Sequence, residues 1–325
     1  MNLAQLAAIV ADEAKAFEYV EAQRWPDGPT CPRCGACDRI YVLNGVKDKK
    51  GRVRHGLKKC GHCRKQFTVR VGSIFEDSPI PLGKWILAIH LMCSSKKGIS
   101  ANQLKRELGI SYQTAWFLTH RVRLAMTEDP LRSLLGSGPD ATVEIDETYV
   151  GGKPRNNRHR NKTRAAGKKV AVMTLIDREG DARQFVVPNT RKTTLEAIAK
   201  PIVDKSATIM TDAHLSYEDL DQHFHAHHAV DHSRHFVRSV ILHTNFAESY
   251  HSLLKRGIIG TFHHISEKHL PRYLKEFEFR WNSRHASDGD RTAAAIKATE
   301  GKRLTYRPLK ATPKGTLAQL FPAKA

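Results

Sequence analysis

The sequence predicts an α/β domain that is preceded by a small zinc-binding module and a helical segment. Two CxxC cysteine pairs lie within residues 25–75, and apolar residues recur at helical spacing between residues 80 and 127. From residue 142 onward, β-like and helical stretches alternate, as is typical of α/β domains. With 325 residues, the chain is long enough for two or three domains and for a hydrophobic core that needs no disulfides.

The N-terminal stretch, residues 1–24, is predicted to form one amphipathic helix. Its acidic residues Asp12 and Glu13 argue against a signal peptide, and we find no run of about 18 or more apolar residues that could span a membrane. We therefore expect a cytoplasmic protein with no membrane partner. In that compartment the six cysteines are expected to be thiols or metal ligands rather than disulfides.

The composition is strongly basic, with 53 Lys and Arg residues against 33 Asp and Glu residues and a net charge of +20. A polyanionic partner is the simplest interpretation, because neutralising phosphates releases counterions and so drives binding. The alternative is a ribosomal or merely basic protein. Charge alone does not distinguish DNA from RNA.

The cysteine spacing predicts one structural Zn²⁺ ion. The two pairs are Cys31 with Cys34 and Cys60 with Cys63, separated by 25 residues. Zinc prefers four soft ligands in a tetrahedron, and two intervening residues let one tight turn aim both sulfurs at one ion. The alternatives are buried cysteines without metal, a redox pair, or a ligand exchange with the nearby Cys37 or His62.

The helical segment, residues 76–130, contains a helix-turn-helix pattern. Ser100 is a candidate cap of one helix, Gly109 ends it, and Ser111 is placed to cap the next. Such a second helix would present polar residues to base edges, and nearby arginines would meet phosphates. The candidates for DNA contact are Arg106, Gln113, Arg121 and Arg123. The alternative is an ordinary helical hairpin.

Acidic residues end two predicted strands and begin a late helix in the α/β domain. Residues 141–150 form a predicted strand that ends in acids including Asp146, and residues 207–212 form another that ends in Asp212. Residues 168–180 and 182–189 are further strands, and residues 193–207 form a predicted helix. Glu248 lies on a predicted helix over residues 244–256.

Three such carboxylates suit metal-dependent phosphoryl transfer. Hard cations such as Mg²⁺ take oxygen ligands, and two of them can activate an attacking oxygen and stabilise a leaving one. A single Asp at a strand end is more often a turn former than a ligand, so the prediction depends on the three acids together. Glu147, on the opposite face of the strand, is the second choice for a ligand, and Glu144, on the same face as Asp146, is the third.

The order of these residues resembles that of the DDE transposases and integrases. Asp146 is followed by Asp212, by Glu248 after 35 intervening residues, and by Lys255 seven residues later. Most of the chain is similar to the insertion-sequence transposases that carry an N-terminal zinc ribbon before an RNase H-like core, the ISXO-like group. The matching stretches are residues 145–153, 211–217, 243–284 and 302–306.

The resemblance implies an α/β catalytic core with an RNase H-like fold, a mixed five-stranded sheet flanked by helices. It also implies binding to double-stranded DNA at the terminal inverted repeats, strand cleavage, and attack of the freed 3′-OH on target DNA. A homo-oligomer at the nucleoid is expected, since two element ends must be brought together. The predicted divisions are residues 1–24 (helix), 25–75 (zinc ribbon), 76–130 (helix-turn-helix), 138–285 (catalytic domain) and 286–325 (a partly irregular basic tail).

The resemblance also assigns roles to individual residues. Asp146, Asp212 and Glu248 would hold two Mg²⁺ or Mn²⁺ ions, and Lys255 would contact the phosphate near the cut. The resemblance also makes Asn245 a rival for the third catalytic position, since it implies that some members use Asn there, although Asn most often caps helices. Further candidates for contact with the DNA backbone are Arg158, Arg160 and Arg256.

Two alternative functions remain at this stage. One is a DNA-binding regulator, in which the zinc ribbon and helix-turn-helix act and the RNase H-like domain is inactive. The other is an RNase H-like nuclease or resolvase that acts on branched or hybrid substrates. The complete set of three acids and Lys255 favours the transposase over the regulator, and the N-terminal modules favour recognition of specific ends over a resolvase.

Overall fold

The computed structural model describes residues 3–151, 169–230 and 243–305, which form two compact units. The first unit joins the described residues up to Thr127 to those from His285 onward, and the second runs from Glu128 to Arg284. Within the described ranges, no helix combines the length and the apolar character that a membrane crossing needs.

The N-terminal stretch forms two helices where the sequence predicted one. Helix α1 spans Leu3–Val10, and helix α2 spans Glu13–Arg24. Asp12 separates them, because its side chain accepts a hydrogen bond from the backbone N–H of Ala14 and caps the second helix. Capping by Asp requires a non-helical backbone, so the acid that argued against a signal peptide also ends the first helix.

The cysteine-rich stretch forms a small antiparallel sheet. Its strands are β1 (Ile40–Val42), β2 (Lys58–Cys60) and β3 (Gln66–Phe67), in that order across the sheet. These strands are each only two or three residues long.

Three helices follow, with the predicted breaks between them. They are α3 (Leu82–Ser94), α4 (Ala101–Leu108) and α5 (Tyr112–Ala125). Ser100 accepts a hydrogen bond from the Gln103 N–H, and Ser111 accepts one from the Thr114 N–H, both at 3.1 Å. Gly109 ends α4 in the left-handed conformation with a φ of 60°, which favours glycine. The caps and the turn are as the sequence predicted.

The predicted basic tail, residues 286–325, includes an ordered helix of the first unit. Helix α9 (Asp288–Lys297) starts at Ser287, which caps it by accepting a hydrogen bond from Asp290 N–H at 3.2 Å. Ala295 and Ile296 are buried, and α9 packs against α2 and α3. This helix was not predicted from the sequence, although a good cap and several alanines favour it despite the polar composition.

The second unit contains a mixed five-stranded sheet, as expected. Its strands are β4 (Thr142–Val150), β5 (Val170–Asp177), β6 (Ala182–Val187), β7 (Thr208–Asp212) and β8 (Ala226–Val230). The order across the sheet is β6-β5-β4-β7-β8. The pairs β4–β5 and β5–β6 are antiparallel, whereas β4–β7 and β7–β8 are parallel.

Helices cover both faces of this sheet. Helix α6 (Lys192–Ala199) contributes to a core on one face, and helices α7 (Asn245–Gly257) and α8 (Leu270–Asn282) contribute to a core on the other. Helix α6 is shorter than predicted: it ends at Ala199, and Pro201, which has no backbone N–H to continue the helical hydrogen bonds, follows two residues later. Val143 and Ile145 face the α6 side, so the period of two along β4 sends Glu144 and Asp146 toward α7.

Candidate active site

Asp146 and Asp212 lie on neighbouring parallel strands and on the same face of the sheet. The pairing of β4 with β7 ends at Glu144 with Met210, and the same offset continued by two residues would bring Asp146 level with Asp212, the last residue of β7. The sequence predicted that Asp146 ends its strand. In the structure β4 continues beyond Asp146 and pairs with β5, where Thr174 is the partner of Asp146. Both carboxylates are half-buried, at the position where β7 ends.

A third carboxylate, that of Glu147, lies beside this pair on the opposite face of β4, as predicted. Its Oε1 accepts a hydrogen bond from the hydroxyl of the buried Tyr217. The pKa of Glu147 is raised to about 7. Burial is the largest cause, the Tyr217 hydrogen bond acts in the opposite direction, and the charges of Asp212 and Asp146 raise the pKa further. The negative charges of the two aspartates therefore reach Glu147, which marks a crowded acidic region.

Helix α7 is held over the sheet by a buried ionic network. Glu144 is fully buried, and its Oε2 accepts a hydrogen bond from the backbone N–H of Ala247 at 3.0 Å. Its Oε1 accepts a hydrogen bond from Arg178 Nε at 2.8 Å and lies 3.3 Å from His243 Nδ1. Arg178 also donates to the carbonyl oxygen of His243 at 2.7 Å. Glu144 was the third candidate for a metal ligand. Both of its carboxylate oxygens instead accept hydrogen bonds that fix the first turn of α7.

A second contact joins α7 directly to the acid pair. His251 Nδ1 lies 3.2 Å from Asp146 Oδ2, and the imidazole is almost fully buried. Glu248 precedes His251 by three residues and is half-buried, so both side chains project from the same side of the helix. Sequence reasoning missed His251, although its spacing from Glu248 is a signal that could have found it.

The remaining predicted residues of α7 lie along one exposed side. Asn245 is exposed at the first position of the helix, and Thr244 precedes it as the capping residue, so Asn245 is not the cap. Lys255 is exposed two turns beyond Glu248. Arg256 is also exposed, and its Nε donates to the carbonyl oxygen of Ser252 at 3.2 Å.

The four predicted cysteines surround one point. The Sγ atoms of Cys31 and Cys63 are 3.7 Å apart, as are those of Cys34 and Cys60. All four sulfurs lie within 4.8 Å of one another. Zinc–sulfur bonds of 2.3 Å in a tetrahedron place sulfurs about 3.8 Å apart, so the four cysteines fit a structural Zn²⁺ ion. Cys37 and His62 stay outside the cluster, and His62 Nε2 lies 3.0 Å from both carboxylate oxygens of Asp38.

The acidic residues do not form an equally tight group. Over the described ranges, the cysteine cluster is the only set of three or more His, Cys, Asp or Glu side chains whose ligand atoms all lie within 4.8 Å. This is compatible with a site for two ions, because opposite ligands of one Mg²⁺ ion are already about 4.2 Å apart, and a second ion about 3.5–4 Å away spreads the ligand set further. The donors also fit Mg²⁺ or Mn²⁺, since all are carboxylate oxygens.

The candidates for contact with DNA separate into exposed and buried residues. Arg106 and Gln113 are exposed on α4 and α5. Arg121 is buried, and its guanidinium donates to the carbonyl oxygens of Ile74 at 2.8 Å and Glu76 at 3.0 Å. Arg123 is also buried; its guanidinium donates to the Thr119 hydroxyl at 3.1 Å. The prediction that Arg121 and Arg123 meet phosphates was wrong, because both groups are used within the fold. Arg158 and Arg160 lie outside the described residues.

Comparison with known proteins places the chain in a family. An ISXO2-like transposase domain matches residues 134–282, and a transposase zinc-ribbon domain matches residues 11–66. A protein of transposable element ISH50 from Halobacterium salinarum is 29% identical over 290 residues, which cover 82% of this chain and 90% of that relative. A transposase-like protein from Haemophilus influenzae is 33% identical over 98 residues, or 30% of this chain and 78% of that relative. The chain belongs to the ISXO2-like transposases.

In this transposase, the two matched domains contain the two sites described above. The zinc-ribbon match includes all four clustered cysteines, and the transposase-domain match includes the two aspartates, Glu248 and Lys255. A chain in a crystal structure of a pre-cleavage Mos1 transpososome is 14% identical, with a TM-score of 0.23 over 68% of this chain and 80% of that one. A TM-score this low supports no comparison of folds.

Proposed function

We propose that the protein binds double-stranded DNA at the ends of its insertion sequence and catalyses metal-dependent strand cleavage and strand transfer. The observation that carries this proposal is that Asp146 and Asp212 lie on one face of adjacent parallel strands, with the helix of Glu248 held over that face. We further infer that the mixed five-stranded sheet and its covering helices form an RNase H-like core.

The three acids would hold two Mg²⁺ or Mn²⁺ ions, which, when bound, activate the attacking oxygen and stabilise the leaving one. Asp146, Asp212 and Glu248 would position the reacting phosphate through these ions. Lys255, exposed on the same helix two turns after Glu248, would contact the phosphate near the cut. Glu147 is held by Tyr217 on the other face of the strand, which favours Glu248 as the third ligand.

The N-terminal unit would recognise the element ends. Its two capped helices, α4 and α5, would bring the exposed Gln113 to base edges and Arg106 to the backbone. Near the cut, the exposed Arg256 would add a backbone contact, and Arg158 and Arg160 remain candidates outside the described residues. The net charge of +20 supports binding to a polyanion. Because two ends must be joined, we propose that a homo-oligomer assembles on the DNA.

The test is cleavage of a DNA fragment that carries the element's own ends, with Mg²⁺ or Mn²⁺. Asp146→Asn and Asp212→Asn should each abolish strand cleavage while end binding persists. Asp140→Asn is the matched control, because Asp140 is exposed and Asn tolerates its positive φ of 57°. Cleavage that survived both substitutions would contradict the catalytic assignment. Specific binding with no cleavage under any metal condition would favour the regulator, and cleavage only of branched or hybrid substrates would favour a nuclease or resolvase.

A second comparison decides the third catalytic position. Glu248→Gln should abolish cleavage, since the amide has no negative charge for a cation. Asn245→Ala should leave most of the activity, because Asn245 is exposed at the start of the helix. Loss of cleavage in Asn245→Ala alone would reverse the assignment.

A further inference from the structure

A continuous chain of buried hydrogen bonds leads to Asp146 from Tyr250, which directly precedes His251 on α7. The Tyr250 hydroxyl donates to Gln184 Oε1 at 2.9 Å, and Gln184 Nε2 donates to Thr174 Oγ1 at 3.1 Å. Thr174 Oγ1 lies 2.9 Å from His251 Nε2, and His251 Nδ1 lies 3.2 Å from Asp146 Oδ2. The other four members of the chain are each at most 5% exposed, so solvent is excluded from them: Tyr250, Gln184, Thr174 and His251.

The donors and acceptors along this chain fix its direction. An amide NH₂ group can only donate, so Thr174 accepts from Gln184 and has its single hydroxyl hydrogen available for His251. In the neutral imidazole, Nε2 then accepts that hydrogen, and Nδ1 carries the proton. An ionised carboxylate can only accept, so the Nδ1–H group donates to Asp146.

The chain leaves Asp146 with both carboxylate oxygens oriented. Oδ2 accepts from His251, and Oδ1 accepts from the backbone N–H of Glu147 at 2.7 Å. Each oxygen has two lone pairs, so each retains one for a further partner. Groups that hydrogen-bond to metal-binding side chains orient them and contribute to metal affinity.

We propose that His251 is a positioning residue for Asp146, held as the Nδ1–H tautomer by the hydroxyl of Thr174. This inference rests on the proposed function, in which Asp146 binds a divalent cation. The contribution of the chain is preorganisation: the carboxylate is already oriented when the cation arrives, so less ordering remains to be done on binding. Neither His251 nor Thr174 contacts the reacting DNA in this role.

The experiment compares near-isosteric pairs in the full-length protein. Thr174→Val removes the hydroxyl and keeps the shape, whereas Thr174→Ser keeps the hydroxyl. Equilibrium binding of Mn²⁺, measured without DNA, should weaken about 10- to 100-fold in His251→Leu, and should weaken in Thr174→Val but stay close to wild type in Thr174→Ser. His251→Asn, which keeps an N–H group near the Nδ1 position, should bind Mn²⁺ more tightly than His251→Leu. Thermal melting identifies any variant that fails to fold.

A direct observation of the imidazole provides a readout that is independent of metal. In protein labelled with ¹⁵N-histidine, the His251 resonances are those missing from His251→Asn. They should show a protonated Nδ1 in the wild type, with a changed tautomer balance in Thr174→Val. A protonated Nε2 with a bare Nδ1 in the wild type, or wild-type Mn²⁺ affinity in folded Thr174→Val, would overturn the inference.

The failure of this inference is distinguishable from failure of the proposed function. If Asp146→Asn loses Mn²⁺ binding and cleavage while the Thr174 and His251 variants match wild type, the catalytic assignment stands and the positioning role is wrong. If Asp146→Asn binds Mn²⁺ and cleaves as wild type does, the proposed function fails, and the positioning role fails with it.

Discussion

The carboxylate of Glu144 accepts a hydrogen bond from the backbone N–H of Ala247, with 3.0 Å between Oε2 and N. One strand therefore carries an acid of the candidate active site and, two residues earlier on the same face, the group that anchors the facing helix. Glu248 directly follows Ala247, so the position of Glu248 depends on the hydrogen bond that Glu144 accepts. The strand and the helix are thus coupled by a charge that is not itself proposed to bind metal.

Glu144→Gln should destabilise the second unit by about 3–5 kcal/mol, because it removes one partner of a buried ion pair and leaves the charge of Arg178 uncompensated. Urea denaturation compared with wild type measures this loss. Glu179→Gln is the control, since Glu179 is exposed in the adjacent turn and its substitution should change stability little. Equal stabilities for the two variants would show that the network does not anchor α7.

Cys31→Ser should remove bound zinc and unfold the ribbon, because structural zinc contributes directly to folding. Metal analysis of the wild type should give one zinc ion per chain, and a strong chelator should reproduce the effect of the substitution. Cys37→Ser should retain the ion, since Cys37 is exposed and outside the cluster. A ribbon that remained folded after complete removal of metal would argue against a structural ion.

Arg106→Ala should weaken DNA binding without lowering stability, whereas Arg121→Ala should lower stability. Arg106 is exposed, so its loss should weaken DNA binding and reduce the salt dependence by about one unit of slope, with the melting temperature unchanged. Arg121→Ala should lower the melting temperature, because each carbonyl left without its donor costs roughly 1–3 kcal/mol. Binding titrations at several salt concentrations and thermal melts would measure both. A stable Arg121→Ala protein with weakened binding would restore the original assignment.

Ile296→Ala should destabilise the first unit by about 2–5 kcal/mol, since it creates a cavity where α9 packs against the N-terminal helices. Lys297→Ala, one residue further along the same helix and exposed, should have almost no effect. The measurement is the melting transition of the N-terminal unit. Matching transitions for the two variants would mean that α9 contributes little to that unit.

The features that the sequence predicted best are those determined locally. The alternation of Val143 and Ile145 with Glu144 and Asp146 revealed the two faces of β4, and Ser100, Gly109 and Ser111 revealed helix ends. In each case a residue acts on its immediate neighbours. Strand β8 was not predicted. Only Val230 among its five residues is buried, so the strand has no apolar alternation to detect.

The features that the sequence did not predict depend on contacts between distant residues. Arg121 looked like a surface arginine, because no local pattern shows that the carbonyl oxygens of Ile74 and Glu76 need donors. The contact between His251 and Asp146 spans more than a hundred residues. Glu144 and Ala247 are separated by a similar number of residues, so the role of Glu144 was not predicted either. Charged side chains are usually assigned to the surface from sequence, and this expectation fails where they are paired inside.

The return of α9 to the first unit affects how the two units can be inherited. The chain leaves that unit after Thr127 and re-enters it at His285, so the second unit is an insertion connected at both ends. Exchange of the first unit between related chains at a single junction would separate α9 from the helices on which it packs. A viable chimera would therefore need two junctions, one near Thr127 and one near His285, with the second unit exchanged as one segment.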